Sequence, residues 1–258
     1  FYMFTSGSTL SMYKAANVAD LAYAVGEQIF DARTASDAME TRTACIWPSE
    51  LQYFSAEEFG AANAGWYLFF STFSRELDGL PSTATDGQSR RSYVLKCTSN
   101  DLQGTWVNPI TGEVGVPARF TSDTEDFVNT VDWCAGESTL RYGGKTYALW
   151  IEQRGRGTAD FRQVMYLSEM KNPWTVTGKV LELVAPEYDW EREGYGYAEA
   201  EGKWYPAVIE GATPIVGDNG ELHVLYACSG YWTTGYKLGQ MTYLGGDLLA
   251  KESWKKSP

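Results

Sequence analysis

Residues 204–236 read WYPAVIEGATPIVGDNGELHVLYACSGYWTTGY, and their punctuation decides the fold. Two apolar runs, Ala207 to Ile209 and Thr213 to Val216, flank the pair Glu210-Gly211. The second run turns at Gly217-Asp218-Asn219-Gly220, a strong hairpin signal, because Gly, Asn and Asp accept the positive φ that tight hairpin turns demand. It returns as Glu221 to Cys228 with apolar residues at alternate positions, the period of a half-buried strand. Glu210 is therefore expected near the start of an inner strand. Apolar neighbours strip water from a carboxylate, which favours the protonated form and suits it to donate a proton near neutral pH. A structural glutamate satisfied by its neighbours is the alternative. Gly211 leaves room for a ligand or another backbone to approach.

Working outward, an aromatic-rich strand recurs as Phe1 to Ser6, Gly65 to Thr72, Lys145 to Glu152 and Glu221 to Ser229. A second strand follows each copy: Met12 to Ala16, Ser92 to Thr98, Gln163 to Met170 and Tyr236 to Tyr243. In three of the four, a short polar turn then ends in tryptophan, at Trp106, Trp174 and Trp254. The spacing, roughly 65 to 80 residues, fits four-stranded blades with long connections. An all-β protein of β-propeller type is the expectation, with a β-sandwich as the alternative. A further strand precedes the later copies, at 47–54, 133–140 and 205–216, and each carries one glutamate: Glu50, Glu137 and Glu210. The first strand of a propeller blade lines the central channel, so these three carboxylates are expected to converge on one end of the axis.

Composition agrees with strands and tight turns, since 15% of the 258 residues are aromatic and 26 are glycine. The net charge of −12 argues against nucleic acid or an anionic membrane as partner and favours a neutral ligand. Neither a run of 18 apolar residues nor a basic-then-apolar leader occurs in the sequence, which leaves a secreted and a cytoplasmic location equally open. Cys45, Cys97, Cys134 and Cys228 are scattered, without the paired spacing of a zinc site, and are read as buried thiols. The lone histidine, His223, sits within a strand and is read as a cross-strand residue, so no metal-ligand set or nucleophilic triad is expected. Ser55 to Ala64 and Gly79 to Arg91 read as loops, and Tyr13 to Phe30 as outer strands with a turn.

A funnel lined by carboxylates and aromatics, without histidine or cysteine chemistry, points to glycoside hydrolysis, in which two carboxyl groups share the work. Trp47, Trp133, Tyr231, Trp232 and Tyr236 are candidates to stack on sugar faces, packing between strands being the alternative for each.

At this point a family resemblance emerges. The segments IWPSELQYF (46–54), RSYVLKCTSNDLQGTW (91–106), MYLSEMKNPWTVTGKVLELVAPEYDWE (165–191), IEGATPI (209–215), YACSGYWTTGYKLG (226–239) and LLAKESWKKSP (248–258) resemble, in order, stretches of glycoside hydrolase family 43, and look most like its arabinofuranosidase-like members. The resemblance implies a five-bladed propeller, about four blades of it in this chain, that cleaves arabinose- or xylose-containing polysaccharides with inversion. It also implies a first-blade Asp as general base, a third-blade Asp that tunes the acid, and a fourth-blade Glu as the acid. Glu210 falls on the acid, since Ile209-Glu210-Gly211-Ala212 stands where the family usually has Asn-Glu-Gly-Pro.

The third-blade Asp is expected at Gly136, and the nearest acid is Glu137, one residue along. On a strand such a shift reverses the side chain unless a bulge beside Gly136 restores it; Asp132 is the fallback. Glu50 is grouped with the substrate-contacting residues. No cofactor is required, although the family often holds calcium in its central channel. The chain opens where the family has passed the strand holding the base, and stops where a fifth blade would begin, so these 258 residues alone are expected to hydrolyse glycosides negligibly. A propeller that binds carbohydrate without catalysis is the second reading.

Overall fold

The computed structural model describes residues 1–32, 46–72, 90–124 and 133–257. The described chain is mostly β, in several antiparallel sheets. It divides into two compact units, Phe1–Thr121 with Lys171–Thr175, and Ser122–Met170 with Val176–Pro258.

The first unit has a three-stranded sheet of Tyr2–Ser6, Thr9–Lys14 and Gly26–Asp31, and a second sheet ordered Trp47–Phe54, Gly65–Thr72, Arg91–Cys97, Trp106–Val107. Leu10, Met12, Phe30, Leu68, Phe70, Tyr93, Leu95 and Trp106 form its core. Gly65–Thr72 is almost wholly buried, which explains its continuous apolar run. Between Tyr13 and Phe30 the chain forms a 3₁₀ turn, Ala19–Tyr23, and one strand. The expectation of a loop over Ser55 to Ala64 is corrected: Ala56–Phe59 is a helical turn and Ala61–Asn63 a 3₁₀ turn. Ser55 and Glu58 form a reciprocal capping box, Ser55 N–H donating to Glu58 Oε2 at 2.8 Å and Glu58 N–H to Ser55 Oγ at 3.3 Å. That Ser-x-x-Glu signature nucleates a turn without any apolar periodicity. The loop expected over Gly79 to Arg91 lies outside the described residues except for Arg90 and Arg91, and Arg91 opens a strand.

The second unit holds the strands Cys134–Tyr142, Lys145–Arg154, Arg162–Asn172 and Thr175–Val184 as sheet neighbours, and a four-stranded sheet ordered Ile209–Val216, Leu222–Cys228, Lys237–Tyr243, Trp254–Lys256. The recurring aromatic strands and their partners are therefore all present. The recurring tryptophan has a structural cause at two positions: the indole N–H donates to a carbonyl of the preceding turn, Trp106 to Leu102 O at 3.0 Å and Trp254 to Leu248 O at 2.8 Å, which satisfies a buried donor while the ring fills the core.

The expected strand 205–216 is two elements: Lys203–Tyr205, paired in a hairpin with Gly196–Ala198, and Ile209–Val216. Pro206 has no N–H to continue a ladder. Ala207 is instead held beside the strand that starts at Arg162, donating to Phe161 O at 3.0 Å and accepting from Gln163 N–H at 2.8 Å. His223 is a cross-strand residue, its Nδ1 lying 3.1 Å from Thr242 Oγ1 on the paired strand. Cys97, Cys134 and Cys228 are buried free thiols, and Cys45 lies outside the described residues. No described helix is long and apolar enough to cross a membrane.

Candidate functional site

Glu210 is the second residue of the strand Ile209–Val216. Ile209 pairs with Cys228 and Glu210 with Ala227, but the next aligned pair is Thr213 with Leu225, so Gly211 and Ala212 together face Tyr226. This is a β-bulge, and Gly211 occupies its left-handed position at φ +68°, where a Cβ would be strained. The bulge turns the strand start so that the half-buried Glu210 side chain meets Tyr236, whose hydroxyl donates to Oε1 at 2.7 Å. Burial first, and the adjacent carboxylate second, push the Tyr236 hydroxyl well above the ordinary tyrosine range, so it remains a donor at neutral pH.

Tyr236 closes the loop that begins at Ser229. Ser229 is the described non-glycine residue with positive φ, at +68°, and it is fully buried. Its hydroxyl donates to Trp190 O at 2.8 Å and accepts from Glu193 N–H at 3.1 Å, while Gly230 N–H donates to Glu193 O at 2.7 Å. These bonds fasten the loop onto residues 190–193 and compensate the strained backbone. The Trp232 ring lies directly on main chain: a Cβ at Gly230 would stand 2.5 Å from it and one at Gly194 2.9 Å, so only glycine admits the ring there. Tyr205 and Tyr231 each approach Trp232 with ring centroids 5.0 Å apart. Trp232, Tyr236 and Tyr231 keep 40%, 43% and 72% of their surface exposed, an aromatic wall on the loop that brings Tyr236 to Glu210, with area free for a ligand.

Glu137 stands at a second bulge. Ala135 pairs with Ile151 and Ser138 with Leu149, leaving Gly136 and Glu137 together opposite Trp150, with Gly136 at φ +72°. Its strand, Cys134–Tyr142, packs against Ile209–Val216, so both bulges lie on neighbouring strands of one unit. Glu137 is 2% exposed. On the facing strand the fully buried Glu152 accepts from Trp150 Nε1 at 3.1 Å and pairs with Arg154 Nη2 at 2.5 Å.

No family model matches the chain. Over 216 residues, 83% of its length, it is 28% identical to an extracellular exo-α-(1→5)-L-arabinofuranosidase of Streptomyces chartreusis, and it spans 52%, about half, of that relative. Its fold matches the crystal structure of an α-L-arabinofuranosidase from Lactobacillus brevis with a TM-score of 0.63 at 21% identity, covering 99% of this chain and 68% of that one. The chain is similar to the family 43 arabinofuranosidases. A thermostable family 43 glycoside hydrolase likewise matches with a TM-score of 0.59 at 13% identity, covering 99% of this chain and 67% of that one. At these identities the structural likeness speaks for the fold.

The other expected site residues differ in exposure. Trp133 is only 6% exposed and belongs to the core of the second unit, so it packs rather than presenting a ring face. In the first unit Trp47 is 44% exposed, and the Arg90 guanidinium sits 3.5 Å over its ring. Glu50 lies at another bulge, where the register slips between Pro48 and Glu50. Asp132 lies outside the described residues. Among the described residues no group of three or more His, Cys, Asp or Glu side chains is arranged to hold a metal ion.

Through Tyr205, the aromatic residues of the hairpin 196–205 also meet the loop 229–236, beyond those expected from the sequence. Tyr197 and Trp204 approach with ring centroids 5.5 Å apart, and Tyr205 both touches Trp232 and donates its hydroxyl to Glu201, whose carboxylate pairs with Lys203 at 2.7 Å. The available signal was the aromatic pairs Tyr195 and Tyr197, and Trp204 and Tyr205, on either side of a polar acidic turn.

Proposed function

We propose that the chain carries the acid half of an inverting glycoside hydrolase acting on arabinofuranosyl or xylosyl linkages, on a five-bladed propeller of which it supplies about four blades. The observation that carries this reading is the bonded pair of Glu210 and Tyr236 beside an exposed aromatic wall. Because Tyr236 occupies Oε1, Oε2 is the oxygen left to face a substrate and to deliver the proton an acid must supply. That proton passes to the leaving oxygen as the glycosidic bond breaks, and water attacks the anomeric carbon from the opposite face. The carboxylate formed is then stabilised by the Tyr236 hydroxyl. Trp232 and its neighbours hold the sugar by stacking. Glu137, at the bulge on the neighbouring strand, acts on the orientation of the acid. The base is the part the family resemblance assigns to an Asp of the first blade, and no residue of this chain is given that role.

The reading is tested in the chain extended to the length of the relatives it matches, by following release of nitrophenol from aryl α-L-arabinofuranosides and β-xylosides, with the anomeric configuration of the product read by NMR. Release with inversion supports it, and release with retention overturns it. The second reading, a carbohydrate-binding propeller, is favoured by the near-complete burial of Glu137. It predicts that arabino-oligosaccharides bind without any release of product.

Tyr236→Phe provides a narrower check. Losing a hydrogen bond to a charged group is worth about 1.5–3 kcal/mol, so kcat is expected to fall about tenfold or more while KM changes little. A rise in KM with unchanged kcat would make Tyr236 a binding residue only.

A further inference from the structure

Upstream of Glu210 the second unit contains a cavity of about 190 Å³ whose chemistry differs from the aromatic wall. Its floor is apolar and fixed: Phe161 and Ala207 are 5% and 4% exposed, and the two are joined by the Ala207 N–H to Phe161 O bond of 3.0 Å. Two guanidinium groups line it, those of Arg162 and Arg192. Arg162 is paired with the Asp160 carboxylate. Arg192 donates through Nη2 to Pro186 O at 2.9 Å and has no acidic partner among the described residues. A guanidinium carries five N–H donors in a planar fork, and on the exposed Arg192 the rest of that fork faces water and is open to an anion. The lining holds two cations and one carboxylate, in a chain whose net charge is −12. At its rim the Tyr195 hydroxyl donates to Ala159 O, which pins the ring in place.

We infer that this cavity is a subsite for the carboxylate of an acidic sugar, a uronic acid unit of the polysaccharide. The Arg192 fork meets the carboxylate, Arg162 adds charge, and the Tyr195 ring and the Phe161–Ala207 floor accept the sugar's apolar face. Ala207 precedes Glu210 by three residues, at most about 10 Å of extended chain, which is within the length of a short oligosaccharide. The identity of the ligand rests on the carbohydrate reading above. Binding itself does not require hydrolysis, so release with retention of configuration would sink the hydrolase reading and leave this one standing, while equal binding of charged and neutral sugars would sink this one alone.

The experiment is calorimetric titration of the whole chain with methyl β-D-glucuronoside, methyl β-D-glucoside and sodium acetate at low salt. The glucuronoside is expected to bind about tenfold or more tightly than the glucoside, and Arg192→Gln to remove that preference. Asp160→Asn frees the Arg162 guanidinium and removes a competing charge from a side chain 71% exposed, so it is expected to tighten binding of the glucuronoside severalfold. A gain of affinity cannot come from misfolding, which separates recognition from damage. Equal binding of the two glycosides, acetate as tight as the glucuronoside, or a preference unchanged in both variants would each overturn the assignment.

Discussion

In the chain extended to the length of the relatives it matches, Glu210→Gln is expected to lower turnover on arabino-oligosaccharides about 10²–10⁴-fold, the range of a lost general acid, while activity on nitrophenyl arabinofuranosides falls far less. The two substrates differ in what they ask of the enzyme. A sugar alkoxide is a poor leaving group and must receive a proton as the bond breaks, whereas nitrophenolate departs almost unaided. Gln occupies the same volume and keeps a carbonyl oxygen to accept from Tyr236, whose bond to Oε1 is 2.7 Å, so the fold and the bulge at Gly211 should survive. The measurement is kcat/KM on both substrates for both proteins. Equal losses on the two would remove the acid role from Glu210, and it would then be a positioning carboxylate for the Tyr236 loop.

How much of this was legible beforehand depended on the range of the interaction involved. The strands were readable because their signals are local: the strand Gly65–Thr72 matches its apolar run residue for residue, and Asp218-Asn219-Gly220 marks the turn between Ile209–Val216 and Leu222–Cys228. The bulge at Gly136 was readable for the same reason, since a glycine beside an acid in a strand invites a left-handed backbone there. The break at Pro206 was also written locally but was outweighed by the apolar run around it.

What could not be read was packing over distance. Nothing near Trp232 announces that its ring rests on Gly194, and nothing near Glu193 announces that its carboxylate fills the space a Cβ at Gly235 would need, 1.7 Å away. Nor does DWERE announce that its first glutamate is wholly buried, because the cation that makes this tolerable, Lys256, is 65 residues away.

That glutamate, Glu191, underlies the second large effect. Its carboxylate is fully buried and accepts from Glu187 N–H at 2.7 Å, Tyr188 N–H at 2.9 Å, Tyr226 hydroxyl at 2.7 Å and Lys256 Nζ at 2.9 Å, joining one 3₁₀ turn to two strands of the adjacent sheet. Glu191→Ala would leave the Lys256 ammonium, on a side chain 8% exposed, without its nearest counter-charge, and the expected cost is about 3–5 kcal/mol in urea unfolding at pH 7. The pH dependence follows from the same contacts. Burial acts to raise the Glu191 carboxyl, but the backbone bonds from Tyr188 and Glu187, then Lys256 and Tyr226, outweigh it and hold the group below the ordinary glutamate value of 4.5. The folded state thus binds its proton less readily than the unfolded chain. The contribution is present above pH 4.5 and is lost as pH falls through the lower folded value, so the stability gap between the native chain and Glu191→Gln should narrow as pH drops below 4.5. A gap under about 1 kcal/mol at neutral pH, the scale of an exposed pair, or one unchanged on acidification, would show that the cluster does not hold the turn. Because Ser229 N–H donates to Glu191 O at 3.2 Å, the same turn anchors the start of the loop that ends at Tyr236. Loss of Glu191 should therefore weaken sugar binding at Trp232 before the protein unfolds, a change visible as quenched ligand response in tryptophan fluorescence at temperatures where the far-ultraviolet circular dichroism is still native.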